Sequence, residues 1–413
     1  MTVALSHSNA PYAGTAAPEP KAAVQSGAAR DATGSAVPKV TVVIGAMNRG
    51  GCERHLVNTL PGLKQHGFDI EVFTLTERGE LADELDAAGV PVIGPQPLDS
   101  ASKPRRITRI ASRTLALHRH FRRRTPDIVH FFLPHAYLLG GPAALLNRVP
   151  VRIMSRRSRN HYQARHPIAS RAERLLHRRM TMVLGNSQAV IDDLIKEGVP
   201  DGRREIIYNG VKLPAATRAP EDVKAELGIP ADTVVMTIVA NLIGYKGHAD
   251  LLDALATVRG DIPWRCLIVG EDRGIGTQLS EQVATLRLEQ HVSFLGQRRD
   301  VPDLLAASDI GLLSSHEEGF SNAVLESMAA SVPMIVTDVG GNSEAVRHEE
   351  TGLVVPSHAP AAFAAAIDRL LGDAELRQTM GAAGSARVQN VFSEASCIAA
   401  YNALYARLLA TAQ

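Results

Sequence analysis

Two carboxylates, Glu318 and Glu326, bracket a short polar turn in the C-terminal half of the 413-residue chain. Before the turn, the apolar run Ile310–Leu313 predicts a buried strand, and the apolar spacing from about Asn322 predicts a helix. A helix N-terminus offers unpaired N–H groups and about half a positive charge, which suits a phosphate. Carboxylates accept hydrogen bonds from pairs of neighbouring hydroxyls. The turn therefore predicts a site for a nucleotide sugar, with a phosphate held between a ribose and a second sugar.

The residues of the turn support this hypothesis but also allow a simpler one. Gly319 lets the chain turn tightly, and we predict that the Ser321 hydroxyl caps the helix by accepting from its first free N–H groups. The simpler interpretation is structural, because acidic residues near a helix N-terminus are favourable through the helix dipole alone.

The wider stretch resembles the donor-site signature of retaining glycosyltransferases of family four, which have the two-domain GT-B fold. The matching segments are EGF at 318–320, LESMA at 325–329, VPMIVTDVGG at 332–341 and NSEAV at 342–346. Ser331 stands where a glycine is usual in the family. The resemblance implies transfer of a sugar from a nucleotide-diphosphate donor to an acceptor hydroxyl with retained anomeric configuration. The departing phosphate would take the acceptor proton.

The resemblance also implies roles for the residues of the turn. Glu326 would hold the donor ribose, and Glu318 would hold the donor sugar. The distal phosphate would lie on the turn itself, which consists of Gly319, Phe320, Ser321 and Asn322. No obligate metal and no other cofactor is expected, because a helix dipole and a lysine can stabilise the negative charge of a departing diphosphate.

Two loops that follow predicted strands carry candidate phosphate ligands. Gly51 lies in a Gly-Gly-Cys-Glu turn that, in the family, faces the donor diphosphate and the acceptor, although glycine pairs at such turns commonly serve only the turn. Lys246 follows the first strand of the second half, where its ammonium could stabilise the leaving group or be an ordinary surface lysine. The family commonly has an arginine near this position, where this chain has Asn241, which we predict to contact the donor. One phosphate contact is then missing, and Lys246 should carry more of the charge.

A further pair of candidates is the histidines around the segment DIVHFFLPH. The family often has His-x-His at this place, whereas this chain has Phe132 at the second position. His135 is therefore predicted to contact the donor sugar, or else to be a helix residue with no special role. His130 is predicted to be a buried histidine of the core.

Strand and helix patterns alternate from Pro38 onward, which predicts an α/β fold with parallel sheets. The last strand predicted in the first half is IIYNGV at 206–211. Together with the resemblance, this predicts two Rossmann-like, doubly wound domains that face a central cleft. The N-terminal, acceptor-binding domain should cover residues 38–211 together with a C-terminal helix at about 391–413. The nucleotide-sugar-binding domain should cover residues 212–390. Residues 1–37 have few large apolar side chains and are predicted to be a disordered tail.

The composition fits an ordinary protein of two domains, with 45% hydrophobic residues and a net charge of +1. The cysteines Cys52, Cys266 and Cys397 have no metal or disulfide spacing and are predicted to be reduced thiols of a cytoplasmic protein. No apolar run reaches the roughly 18 residues needed to cross a bilayer. A peripheral position at the inner face of the membrane is the alternative location.

Basic residues are concentrated in two segments of the first domain, 103–124 and 155–166. Because this domain binds the acceptor in GT-B enzymes, the excess favours a glycan or lipid-linked acceptor that is anionic, or a peripheral membrane contact. Such runs are equally common on solvated helix faces. Nucleic acid is not expected, since aromatic residues make up only 4% of the chain and no recognition motif is present. The loop 295–302 is expected to meet the donor base, with a UDP-sugar favoured over a GDP-sugar.

Two other functions remain open. A nicotinamide dehydrogenase would need a G-x-G-x-x-G turn after a first strand and an acidic residue about twenty positions further on, and neither GAMNRGG nor VANLIGYKG provides this pattern. A non-catalytic GT-B protein that only binds a nucleotide sugar is the second alternative, because of the missing arginine.

Overall fold

The computed structural model describes residues 37–94, 106–160, 163, 166–212, 215–259 and 262–412. Except for Val37, the predicted disordered tail lies outside these residues, as do parts of both basic segments. Residues from Pro38 onward form one compact unit. Within the described residues, no helix is both long enough and apolar enough to cross a membrane.

The first half of the chain contains a sheet of seven strands. They are β1 (Lys39–Ile44), β2 (Asp69–Thr74), β3 (Val92–Ile93), β4 (Ile128–Phe132), β5 (Val151–Arg156), β6 (Met182–Gly185) and β7 (Arg204–Ile206). Their order in the sheet is β3-β2-β1-β4-β5-β6-β7, and every pair is parallel. The α-helices between them are Gly51–Gln65, Ala82–Ala87, Arg106–Arg124, Pro134–Leu146, Pro167–His177 and Gln188–Lys196.

The second half contains a parallel sheet of six strands. They are β8 (Val234–Val239), β9 (Trp264–Val269), β10 (Val292–Gly296), β11 (Ile310–Leu313), β12 (Met334–Thr337) and β13 (Gly352–Val355). Their order is β10-β9-β8-β11-β12-β13. The accompanying α-helices are Pro220–Glu226, His248–Leu255, Gly276–Thr285, Val301–Ala306, Asn322–Ala329, Asn342–Ala345, Pro360–Gly372, Ala374–Val391 and Glu394–Ala412.

The alternating pattern predicted this architecture correctly, because buried parallel strands need crossover helices on both faces of the sheet. One predicted strand is wrong in extent. The segment IIYNGV at 206–211 was predicted as a strand, but β7 ends at Ile206. Beyond it, Tyr208 packs against the ring of Phe392, and Val211 makes a single bridge to Ser393. The segment after β7 leads from the first half of the molecule to the second, and its residues Tyr208 and Val211 contact Phe392 and Ser393.

The C-terminal helix Glu394–Ala412 packs against the helix Gly51–Gln65 of the first half. Its apolar face, including Tyr401 and Tyr405, joins the core around the first sheet. Gly62 allows this close approach, because a Cβ there would lie 2.4 Å from Ile398 Cδ1. The C-terminal helix therefore completes the hydrophobic core of the first half of the molecule.

The second basic segment is partly internal rather than a surface patch. Arg156 is fully buried and forms ion pairs with Glu173 and Glu197. Arg159 pairs with Asp193 at 2.7 Å. These arginines are therefore neutralised within the fold, and they do not add to a field that could attract an anionic acceptor.

Candidate active site

Loops at the carboxyl ends of strands from both sheets surround a cavity of about 690 Å³. Lining residues of the first half follow β1, β4, β5, β6 and β7, and those of the second half follow β8, β9, β10 and β11. Ligands of doubly wound sheets bind at this edge. The cavity lies where the sequence predicted a cleft.

Lys246 and Glu318 meet at this cavity, although 72 positions separate them in the chain. The ammonium Nζ of Lys246 lies 2.5 Å from Oε1 of Glu318, and Ser315 Oγ donates to the same oxygen at 2.7 Å. Only 9% of the Glu318 side chain is exposed. Gly247, in the left-handed conformation with φ of 67°, lets the two loops approach, because a Cβ there would lie 2.0 Å from the carbonyl oxygen of Ser314.

The turn after Glu318 is shaped by contact with the first half. A Cβ on Gly319 would lie 2.5 Å from the carbonyl oxygen of Arg157, so the backbone approach requires glycine. The helix begins at Asn322 as predicted, but the predicted cap is wrong, since the Ser321 hydroxyl makes no capping hydrogen bond. Ser321 lines the cavity instead, beside the N-terminus of the helix.

Asn322 connects the turn after Glu318 to the first half of the molecule. Its Nδ2 donates to the carbonyl oxygen of Gly51 at 3.3 Å, and its Oδ1 accepts from Asn209 Nδ2 at 2.6 Å. Asn209 Nδ2 also donates to the carbonyl oxygen of Phe320 at 3.1 Å, and its Oδ1 accepts from Arg157 Nη2 at 2.5 Å. Asn322 therefore links Gly51, also a predicted ligand, to Asn209 through one hydrogen-bonded network.

Phe320 was predicted to bind the donor, and the structure gives its side chain a packing position. The ring lies 5.2 Å from that of Tyr208 and 5.3 Å from that of Phe392. Phe320 is 6% exposed and reaches the cavity lining. Its aromatic contacts hold the turn, in which Ser321 and Asn322 also line the cavity.

Asn241 lines the cavity, and its side-chain oxygen accepts from the backbone N–H of Glu271 at 3.1 Å. The arginine expected near this position is absent, but Arg157, Arg273 and Arg298 supply guanidinium groups to the same lining. Arg273 forms an ion pair with Glu271 at 2.7 Å, half exposed to solvent. Arg298 forms ion pairs with Asp300 at 2.7 Å and with Glu226 at 3.2 Å. A donor phosphate would therefore compete with carboxylates for the guanidinium groups of Arg273 and Arg298.

Glu326 lies inside the helix that follows the turn and is not among the residues lining the cavity. Burial raises the pKa of its carboxyl to about 7, and the nearby positive charge of Arg54 opposes the rise only in part. At neutral pH the carboxyl is therefore divided between its neutral and ionised forms. Its predicted contact with a ribose stays a prediction.

The two histidines of the segment after β4 have different surroundings. His130 is fully buried, with Nδ1 2.7 Å from the Tyr405 hydroxyl and Nε2 2.7 Å from the Ser155 hydroxyl. Burial, helped by the charge of Arg157, lowers its pKa to about 3, so it is a neutral core residue as predicted. His135 is exposed and lies outside the cavity lining, which Leu133 reaches instead. Its predicted sugar contact is not supported by this position.

Glu344, in the matching segment NSEAV, holds the two halves together away from the cavity. Both its carboxylate oxygens lie 2.8 Å from the backbone nitrogen of Gln188, the first residue of a helix in the first half. It also accepts from the backbone N–H of Ala189 at 3.3 Å and from the Tyr208 hydroxyl at 3.1 Å. A carboxylate at a helix N-terminus is favourable both through its hydrogen bonds and through the dipole.

Sequence reasoning missed several polar residues of the site. Asn186 and Asn209 line the cavity from loops after β6 and β7, and Arg157 lines it from the loop after β5. Arg157 was noted only as part of a basic segment. Their position directly after buried strands was the available signal, because the carboxyl ends of parallel strands share one edge of a sheet.

The two parallel-sheet, Rossmann-like halves and the cavity that they share define the fold class of the protein, GT-B. Anabaena Alr3699/HepE, solved in complex with UDP and glucose, superposes with a TM-score of 0.77 and 22% identity, covering 90% of this chain and 100% of that one. WaaG, a glycosyltransferase involved in lipopolysaccharide biosynthesis, superposes with a TM-score of 0.66 and 17% identity, covering 87% and 98%.

Sequence comparison identifies the family. Two family models match the chain. The model described as "Glycosyltransferase Family 4" matches residues 49–213, and the model described as "Glycosyl transferases group 1" matches residues 220–387. The D-inositol 3-phosphate glycosyltransferase of Corynebacterium glutamicum (strain R) is 27% identical over 391 residues, covering 87% of this chain and 92% of that protein. The N-acetyl-alpha-D-glucosaminyl L-malate synthase of Bacillus anthracis is 29% identical over 225 residues, covering 54% and 59%. The chain belongs to glycosyltransferase family four.

Proposed function

We propose that this protein is a retaining glycosyltransferase that moves a hexosyl group from a nucleotide-diphosphate sugar to an acceptor hydroxyl. The observation that carries the proposal is the Lys246–Glu318 ion pair, which lies in a cavity shared by both halves. The bond from the anomeric carbon to the diphosphate breaks, and a bond from that carbon to the acceptor oxygen forms. The acceptor proton goes to the leaving phosphate.

The charges of the site suit this reaction without a metal ion. Negative charge develops on the departing diphosphate, and Lys246, Arg157 and the N-terminus of the helix at Asn322 surround the place that it would occupy. When the donor enters, its phosphate replaces Glu318 as the partner of the ammonium. Glu318 is then left to accept hydrogen bonds from the sugar hydroxyls, as the family resemblance implies.

A UDP-sugar is the proposed donor, and a hydroxyl of a glycan or lipid-linked intermediate is the proposed acceptor. HepE, the neighbour in fold, has been solved with UDP and with UDP-glucose, which supports a uridine nucleotide. The loop after β10, with Gln297 and Arg298 in the cavity lining, is available for the base. The phosphorylated acceptor in the name of the corynebacterial relative supports an acceptor that carries negative charge.

The decisive experiment is release of nucleotide from labelled donors. UDP-glucose, GDP-mannose and ADP-glucose are first compared by thermal shift, where a ligand at a hundred times its Kd stabilises by about 2.7 kcal/mol. Slow release of UDP without acceptor, lost in Glu318→Ala and Lys246→Ala, is the expected result. Binding without turnover under every acceptor tested would instead favour the non-catalytic nucleotide-sugar binder. The anomeric configuration of the product, measured by NMR, tests retention.

We also propose a peripheral membrane contact for the first half. The helix Pro167–His177 exposes Ile168 and Leu175, which are 82% and 64% accessible, and its exposed arginines include Arg171 and Arg174. Apolar side chains flanked by cations suit the surface of an anionic bilayer. Cosedimentation with phosphatidylglycerol vesicles should exceed that with phosphatidylcholine vesicles and should fall in Ile168→Ser/Leu175→Ser. Equal cosedimentation with both vesicles would contradict the contact and favour a cytoplasmic position away from the membrane.

A further inference from the structure

Three side chains converge on the second half of the molecule, outside the residues that line the cavity. They are Asp250, in the first turn of the helix His248–Leu255, His316, in the loop after β11, and His358, in the loop after β13. His316 Nε2 lies 2.9 Å from Asp250 Oδ2, and His358 Nδ1 lies 3.5 Å from the same oxygen. One potential ligand atom from each residue lies within 4.8 Å of the others.

We propose that Asp250, His316 and His358 bind one divalent transition-metal ion of the zinc type. Zinc in proteins is tetrahedral, with bonds of about 2.0–2.1 Å to histidine nitrogen and similar bonds to carboxylate oxygen, so its ligand atoms lie about 3.3 Å apart. The separations of 2.9 Å and 3.5 Å fall on either side of this value. Two imidazoles and one carboxylate leave the fourth position to water. This assignment goes beyond the proposed transferase activity and does not depend on it.

The backbone around the three side chains leaves room for an ion. A Cβ on Gly247 would lie 3.0 Å from His316 Nε2, so glycine keeps the space beside this ligand atom open. The loop of His316 is fixed by its own N–H, which donates to the carbonyl oxygen of Tyr245 at 2.7 Å. His358 has a left-handed backbone with φ of 56°, which is uncommon for a residue other than glycine. It is also the most exposed of the three, at 66% of its side chain, so an ion can enter from solvent.

A structural explanation without an ion covers part of the arrangement. The His316 and His358 rings lie 3.8 Å apart with 34° between their planes, and the hydrogen bond from His316 to Asp250 is ordinary. A tilted ring pair of this kind needs no metal. The two explanations differ in their chemistry, because an ion requires both imidazoles to be neutral and releases protons when it binds at low pH.

Among the described residues, one other cluster has comparable ligand atoms, namely Glu173, His177 and Glu197. All three are fully buried, and the Arg156 guanidinium already lies against both carboxylates. A metal ion there would have to enter beside a buried positive charge, which is strongly unfavourable. We therefore expect one ion for each chain, bound at Asp250.

The position of the ion explains what it would do. Asp250 follows Lys246 by four residues, and His316 precedes Glu318 by two. An ion bound by both would join the loop that carries the ammonium to the loop that carries the carboxylate. It would hold the ion pair in place from outside the cavity, and it would contact neither donor nor acceptor. Its loss should therefore loosen these loops without removing a catalytic residue.

The test is a titration of the full chain, without a polyhistidine tag, after treatment with chelator. Co²⁺ should give the visible absorption of a tetrahedral site, and Zn²⁺ should bind with one ion per chain in calorimetry. Asn is chosen at position 358 because it tolerates the left-handed backbone there. His358→Asn and His316→Gln should each weaken Zn²⁺ binding about 100-fold or more, because loss of a residue that only hydrogen-bonds a metal ligand already lowers metal affinity by about 10–100-fold. His348→Asn is the matched control, because His348 is exposed beside Glu349.

Two results would overturn the proposal. One is binding of Zn²⁺ that is equally strong in the His316 and His358 variants and in the parent protein. The other is absence of stoichiometric Zn²⁺ binding by the parent protein. Both readouts use the ion alone, so they are independent of whether the protein transfers a sugar.

Discussion

The ammonium of Lys246 lies 2.5 Å from the carboxylate of Glu318, and both side chains are at least four-fifths buried at the interdomain cavity. Two opposite charges in such a place satisfy each other until a ligand with its own charges arrives. A diphosphate can take the lysine, and a sugar with neighbouring hydroxyls can take the carboxylate. In the proposed function, the pair therefore provides one contact for the diphosphate and one for the sugar hydroxyls of a nucleotide sugar.

Removal of the Lys246 ammonium should lower the rate of turnover. Lys246→Ala takes away the positive charge proposed to stabilise the leaving diphosphate, and a loss of about 100-fold or more in kcat is expected, in line with the loss of one oxyanion-stabilising group. Nucleotide release from UDP-glucose measures the effect. Lys196→Ala, on an exposed helix position outside the cavity lining, should behave like the parent protein. Unchanged turnover in Lys246→Ala would remove the lysine from the mechanism.

The carboxyl of Glu326 should make stability depend on pH. Its pKa is raised from 4.5 to about 7 by burial, so between these values the unfolded chain releases a proton that the folded chain retains. Stability should therefore fall as pH rises from about 4.5 to 7, by roughly 3 kcal/mol at most. Glu326→Gln should lack this fall, which urea unfolding at several pH values would measure. In the exposed control Glu289→Gln the fall should persist, and a parallel pH profile in Glu326→Gln would contradict the expectation.

Gly319 should tolerate no side chain. In Gly319→Ala the new Cβ would meet the carbonyl oxygen of Arg157 at 2.5 Å, and because this atom is backbone, the two halves must move apart. Overpacking of this kind costs about 1–3 kcal/mol. Denaturant unfolding should show that loss, together with weaker binding of UDP. Gly202→Ala is the control, since no atom lies within 4 Å of a Cβ there. Equal stability of both variants would show that the turn can relax.

The buried arginine should be essential for stability at neutral pH. Arg156→Met leaves Glu173 and Glu197 without their cation, which should cost about 3–5 kcal/mol. Burial alone would raise the pKa of Glu197, but hydrogen bonds from His177 and Arg156 outweigh it and hold the pKa at about 2. In the parent protein this contribution is present above pH 4.5 and is lost as pH falls toward 2.

In Arg156→Met the further loss of stability on acidification should be smaller than in the parent protein, because with fewer hydrogen bonds the folded-state pKa of Glu197 is depressed less below 4.5. Thermal unfolding between pH 2 and pH 7 measures both effects. Arg171→Met, at an exposed position of the helix Pro167–His177, is the control and should change stability by less than about 0.5 kcal/mol. A similarly small change in Arg156→Met would mean that the buried carboxylates find other partners.

Glu344 should protect the amides that it contacts across the two halves. Glu344→Ala removes the acceptor of the Gln188 and Ala189 N–H groups, and loss of such a cap typically costs about 1 kcal/mol. Hydrogen exchange at these two amides should become faster, while Glu375→Ala, on an exposed helix position, should leave them unchanged. Unaltered exchange in Glu344→Ala would show that the contact is not populated in solution.

Much of the fold could be predicted because parallel sheets impose a strong pattern on the chain. Buried strands such as β8 and β11 are nearly continuous apolar runs, and the helices between them show apolar faces. The strand predicted over 206–211 ended early because Tyr208 and Val211 are apolar for a different reason, namely packing between the halves. An apolar run of a few residues does not distinguish these cases.

Some residues of the candidate site could be predicted from the sequence, and others could not. Glu318, Lys246 and the turn to Asn322 are marked by local sequence, since a strand, a tight turn and a helix start are neighbours in the chain. Arg157 and Asn209 are not marked, because their contribution depends on which loops of the first half face the turn. His135 was proposed from its place after β4, but that neighbourhood did not reveal that Leu133 would reach the cavity instead.

By itself, the sequence determined the two parallel sheets, the helix that begins at Asn322 after a tight turn, and the family, because these depend on short-range periodicity and on residues close together in the chain. The tertiary structure alone decided the partner of Lys246, the burial of Arg156 and the grouping of Asp250 with two distant histidines. Each of these depends on contacts between residues far apart in sequence, and such contacts are set by how the loops pack at the ends of the strands.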